Sequence, residues 1–152
     1  MKLGDFQSAV TALILGSLLI ASAAVAQSSP VGVWKTFDDA TGKPSALIRI
    51  VDDHGELKGK IEKLFLSADE DVNPRCTRCT DARKNQPIIG MTIIDGMRAD
   101  GGAFGGGHIL DPENGSVYKS RMMLIEDGKK LEVRGYLGVP MLGRTQVWLR
   151  EP

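Results

Sequence analysis

The chain has 152 residues, 42% of them hydrophobic, with 19 basic and 19 acidic side chains that sum to no formal charge. A neutral chain lacks the basic face that neutralising phosphates demands, so nucleic acid is excluded as the expected partner, and nothing draws the chain to an anionic lipid surface. The length suits one domain around one core.

The N-terminus pairs Lys2 with an apolar run from Ala9 to Ala24, followed by Ala24-Val25-Ala26. Small residues at Ala24 and Ala26 fit a signal-peptidase site, so residues 1–26 are expected to be a cleaved signal peptide, with cleavage before Gln27. The most apolar part, Ala9 to Ile20, falls short of the ~20 residues a helix needs to cross a bilayer. No later run is long enough either. The expected product is one exported, periplasmic domain over residues 27–152, with no transmembrane segment.

Behind the signal the hydrophobic period is mostly two. Val31, Val33 and Trp34 open a strand that ends near Phe37, and Ala46 to Val51 is a second. Asp52-Asp53-His54-Gly55 offers residues that tolerate a tight turn. Leu57, Gly59 and Ile61 then alternate with Lys58, Lys60 and Glu62, the pattern of a half-exposed strand. From Ser67 to Pro87 the alternation fails, and a long polar loop containing Cys76 and Cys79 is expected. Thr80-Asp81 is placed to cap a helical turn over Ala82–Asn85. Strand signals return at Ile88-Ile89 and at Met91 to Ile94. The glycines from Gly101 to Gly107 predict a turn or a bulge rather than a regular strand. Ile109-Leu110, Val117 to Ile125, Leu131 to Leu137 and Arg144 to Arg150 complete the set, separated by Asp111 to Gly115, Glu126 to Lys129 and a kink at Gly138 to Gly143. About eight to ten strands joined by successive hairpins predict an all-β fold, a single antiparallel up-and-down β-barrel.

Few residues offer chemistry. Cys76-x-x-Cys79 in an exported chain reads first as a local disulfide. So short a loop gains roughly 2 kcal/mol, enough to pin the segment and not to hold the fold. A redox dithiol lacks a βαβ setting or a helix terminus to acidify a thiol. Structural zinc wants four ligands, and His54 and His108 stand in separate turns, so no metal or cofactor is expected. The acidic groups Asp38-Asp39 and Asp69-Glu70-Asp71 lack calcium-loop spacing and read as solvated charge. No serine or cysteine has a base beside it, so no catalytic residue is assigned, and an enzyme is the least supported class.

The candidate binding set is Trp34, Arg134, Tyr136, Arg144, Gln146 and Trp148. Arg134 and Tyr136 share one sheet face, and Arg144, Gln146 and Trp148 share another. If Leu131 and Val133 face the core, Arg134 faces solvent; if not, the barrel has a cationic lining for a small amphipathic or anionic molecule. A purely structural role is also open, with an arginine stacked on Trp34 to plug one barrel end. The competing function is a filled barrel, packed by Met122, Leu124 and Ile48, that contacts an envelope protein.

Gly32-Val33-Trp34-Lys35-Thr36, Gln86-Pro87-Ile88-Ile89-Gly90-Met91, Gly107 to Gly115 with Tyr118, Leu131-x-Val133-Arg134-Gly135-Tyr136 and Leu142 to Gln146 with Trp148 together resemble the bacterial exported family called domain of unknown function 2147. The resemblance implies a small lipocalin-like barrel and no assigned activity. Gly32-x-Trp34 is similar to the opening Gly-x-Trp of lipocalins, which implies that the tryptophan closes the barrel base against an arginine.

Overall fold

Alternation becomes a closed wall in the computed structural model, which describes residues 29–152; the expected export signal lies outside them. The strands are β1 (Gly32–Phe37), β2 (Pro44–Asp53), β3 (Glu56–Leu64), β4 (Thr92–Asp100), β5 (Ala103–Asp111), β6 (Ser116–Ile125), β7 (Lys130–Tyr136) and β8 (Gly143–Glu151). Each pairs antiparallel with the next, and β1 pairs with β8, so the sheet closes into an eight-stranded barrel with no free edge. No helix forms among the described residues.

Register decides which faces look inward. Leu131 lies opposite Trp148, Val133 opposite Gln146 and Gly135 opposite Arg144. Leu131, Val133 and Trp148 are buried, so the whole row Arg144, Gln146, Trp148, Arg150 belongs to the interior face. Arg134 sits on the outer face, the alternative in which Leu131 and Val133 face the core.

The two ends differ. Loops β2–β3, β4–β5 and β6–β7 gather at one end, and Trp34, Ile50, Leu57, Met97, Met122 and Leu131 fill the barrel there. Trp34 is fully buried, and the Arg150 guanidinium lies 4.2 Å from its ring centroid. The Trp34 indole N–H donates to the Pro30 carbonyl at 2.8 Å. Arg150 donates to the carbonyls of Gly128, Val31 and Ser29. This cation–π stack and its fork of hydrogen bonds seal the base.

Three expectations need correction. Gly101 to Gly107 does hold a turn and a bulge, as expected, with Gly101-Gly102 making the β4–β5 turn and the register shifting between Phe104 and Gly107, but a strand, β5, runs through it from Ala103 onward. Glycine is required at 107 because a Cβ there would stand 2.2 Å from the Asp95 carbonyl oxygen of β4. The Ile88-Ile89 strand reduces to a single bridge between Arg75 and Pro87. Residues 82–85 form turns instead of a helical turn, with Lys84 N–H donating to the Asp81 carbonyl and Gln86 N–H to that of Arg83.

Candidate functional site

The opposite end is open. Above Ile48, Ile61 and Val133 the inward side chains no longer meet across the barrel, leaving a cavity of about 650 Å³. Its wall is apolar, built from Ile48, Ile61, Ile93, Leu110, Val133 and Trp148. Such a volume lies within the range of sites that hold one small molecule. Met122 and Ile48 are packed in the core as a filled barrel requires, yet the filling stops halfway.

Four connections frame the mouth: β1–β2 (38–43), β3–β4 (65–91), β5–β6 (112–115) and β7–β8 (137–142). The long β3–β4 segment contributes Phe65, Leu66, Glu70, Pro74 and Ile88 to the lining. Cys76 and Cys79 are joined in a disulfide and buried. The β5–β6 turn presses on this segment so closely that a Cβ on Gly115 would sit 2.1 Å from the Arg78 carbonyl oxygen. Cys76 Sγ lies 3.5 Å from the Pro112 carbonyl oxygen. The disulfide therefore fixes one side of the mouth against its neighbour.

The candidate residues separate. Arg144, Gln146 and Trp148 line the cavity from the inward row of β8, and Tyr136, of the same parity as Arg134, joins the lining at the rim where β7 ends. Trp34 belongs to the sealed base. Arg134 stays outside, donating to the carbonyls of Pro140 and Met141 and to Thr145 Oγ1. Inside, Trp148 Nε1 donates to Gln146 Oε1 at 3.1 Å, and Gln146 Nε2 donates to Asp39 Oδ1 at 2.9 Å. Arg144 forms an ion pair with the same Asp39 carboxylate. A polar chain thus climbs from the buried indole to the rim, and the cation at its top is already matched by an anion.

Sequence reasoning missed two participants. Asp39 lies more than a hundred positions from Gln146, and its acidic neighbour made it look like solvated charge. Tyr118 faces inward from β6, lines the cavity, and accepts a hydrogen bond from Asn114 Nδ2. One inward position deeper, the buried Ser120 hydroxyl has no hydrogen-bond partner among the described residues.

The rim is acidic. Asp38, Glu70, Asp111 and Glu113 line it against one guanidinium, Arg144. Hydrogen bonds from the Thr41 side chain and backbone hold the Asp38 carboxyl below its ordinary range, and those from Ser67 do the same for Glu70. Both carboxylates stay ionised at neutral pH.

The chain matches the family model described as "Uncharacterized protein conserved in bacteria (DUF2147)" over residues 32–150. Among solved structures it is similar to a Helicobacter pylori protein described as belonging to the lipocalin family. The two share 16% identity and a TM-score of 0.69, over 82% of this chain and 84% of that one. At that identity the likeness is one of fold. No curated protein matches.

Proposed function

The chain belongs to the family of uncharacterized proteins conserved in bacteria (DUF2147), and from that premise we propose that it is an exported carrier or sensor barrel that takes one small, largely apolar molecule into its open end. The observation that carries this reading is the half-filled barrel: a sealed, packed base below an apolar cavity of about 650 Å³. Apolar walls remove the tail of an amphipathic guest from water, while the polar chain at the rim orients its head.

The charge around the mouth selects among heads. Arg144 is engaged by Asp39, and the remaining charged groups of the lining are carboxylates. A neutral or cationic head meets this rim favourably. A carboxylate or phosphate head meets repulsion from several sides. Of the two guest classes expected from the sequence, the amphipathic one is retained and the anionic one is disfavoured.

The decisive experiment uses three probes with one alkyl tail: a long-chain alcohol, the matching amine and the matching carboxylate. Trp148 fluorescence and native mass spectrometry read occupancy. The alcohol and amine are expected to bind with one-to-one stoichiometry, and the carboxylate roughly ten-fold more weakly or worse. Ala46→Phe, which projects a ring into the cavity, should abolish uptake. Binding that survives this filling, or no uptake of any probe, overturns the proposal.

Export belongs to the same reading. The buried Cys76–Cys79 bond supports an oxidising compartment. Intact mass of the chain recovered from the periplasm should correspond to a start at Gln27; recovery only from the cytoplasm with residues 1–26 intact would refute it.

A further inference from the structure

The β7–β8 loop gathers exposed apolar side chains that elsewhere on the surface stand apart. Residues 137–143 carry no charge, and Leu137, Val139, Met141 and Leu142 all point substantially into solvent, Met141 at 88% and Leu142 at 74% exposure. Two apolar side chains of this loop, Leu137 and Leu142, also line the cavity. Exposed apolar surface therefore runs without interruption from the outside of the molecule into the barrel.

This loop is not loose. Arg134, on the outer face of β7, donates to the carbonyls of Pro140 and Met141 and to Thr145 Oγ1, and Leu142 N–H donates to the Val139 carbonyl. The guanidinium satisfies the loop backbone and ties the tip to β7. An isolated exposed leucine needs no explanation, but a braced cluster at the entrance of a cavity does.

We propose that the β7–β8 tip is a membrane-docking element, inserting Leu137, Val139, Met141 and Leu142 into the interfacial region of a bilayer so that the cavity mouth opens onto lipid. Two observations favour a bilayer over a protein partner. The patch is continuous with the cavity, so an apolar guest can pass along it without entering water. The uncharged tip has Arg134 at its outer base, which sets a cation at headgroup phosphate depth beneath the inserted side chains; Arg144 is neutralised there by Asp39, and Asp38, Glu70, Asp111 and Glu113 belong to other parts of the rim. The choice of partner rests on the carrier reading; the docking itself does not.

The test is co-sedimentation of the full chain with phosphatidylcholine vesicles and no added guest. Wild type and variants share one N-terminus, so the difference between them reads the loop. The wild type should sediment with the vesicles at low and high salt alike, because the tip carries no charge. Met141→Ser with Leu142→Ser should lower the partition coefficient roughly ten-fold or more. Arg134→Ala keeps every apolar side chain but frees the loop, and should weaken docking to a lesser degree. Val51→Ser, an exposed valine on β2 toward the sealed end, should change nothing. Thermal melts of each variant report folding, and Val139→Ser replaces the double variant if the latter melts early. Equal partition of loop variant and wild type, or no sedimentation of either, overturns the proposal. So does a loop variant that converts a dimer to a monomer without vesicle binding, which would assign the patch to a second copy. The probe assay contains no lipid and this one no probe, so the two readings fail separately.

Discussion

Arg150 and Arg144 stand on one inward row of β8 and have opposite fates. Arg150 is stacked on a buried indole and donates to three carbonyls, and burial lowers its pKa without discharging it. Arg144 is a rim group paired to an exposed carboxylate. Arg150→Ala should therefore cost about 2–4 kcal/mol in urea unfolding, since it orphans backbone acceptors and unseals Trp34. Arg144→Ala should cost less than about 1 kcal/mol. Comparable losses for both would contradict the division between sealed base and open mouth. Ser120→Ala makes a sharper case. Removing a buried hydroxyl with no partner should raise stability by about 1 kcal/mol, checked by the same unfolding curves. What could be read at this scale from sequence was parity: Leu131 and Val133 inward meant Arg134 outward. Which arginine meets Trp34 could not be read, because stacking depends on where β8 lands across the closure from β1.

At the scale of elements, the loops of the open end are tied by carboxylates as well as by packing. Asp38 accepts from Thr41 in β1–β2, and Glu70 accepts from Ser67 in β3–β4. Hydrogen bonds from the Arg83 side chain bring Asp81 down to about 2. A carboxyl held below its ordinary value favours the folded arrangement only when ionised. That contribution is whole above the ordinary carboxylate pKa of ~4 and disappears as pH falls toward about 2 for Asp81. Acid should thus loosen the mouth before the barrel: amide protection relative to the intrinsic rate in 38–43 and 67–85 should fall between pH 4 and 2 while the far-UV β signal persists. Gly115→Ala should separate the same region by force. Its φ of 75° and the 2.1 Å approach to Arg78 predict a loss of about 2 kcal/mol or more, with faster exchange around the disulfide. The hairpins themselves were legible in sequence, because alternation and turn residues are local. The glycine run was read correctly as a turn and a bulge, and only the strand that passes through it was missed, for a related reason. Glycine marks both looseness and close approach, and only the position of β4 tells which one Gly107 serves.

For the whole molecule, the expected antiparallel barrel and its lipocalin-like form are present, and eight strands is the low end of the expected count. Barrel class follows from pattern and connection length. The cavity does not, since whether inward side chains meet across a barrel depends on volumes summed from all eight strands. Asp39 entered the site for the same reason: the loop after β1 reaches β8 only when the circle closes. That closure also has an order in time. A chain made from its N-terminus holds β1 and its neighbours well before β8 exists, and until then both margins of the growing sheet are unpaired. The last nine strand residues, Gly143–Glu151, deliver the seam partner of β1, the arginine over Trp34 and the Trp148 wall of the cavity together. Translation stopped at Leu142 should leave no partly working product, only a sticky ribbon whose melting curve shows no cooperative step.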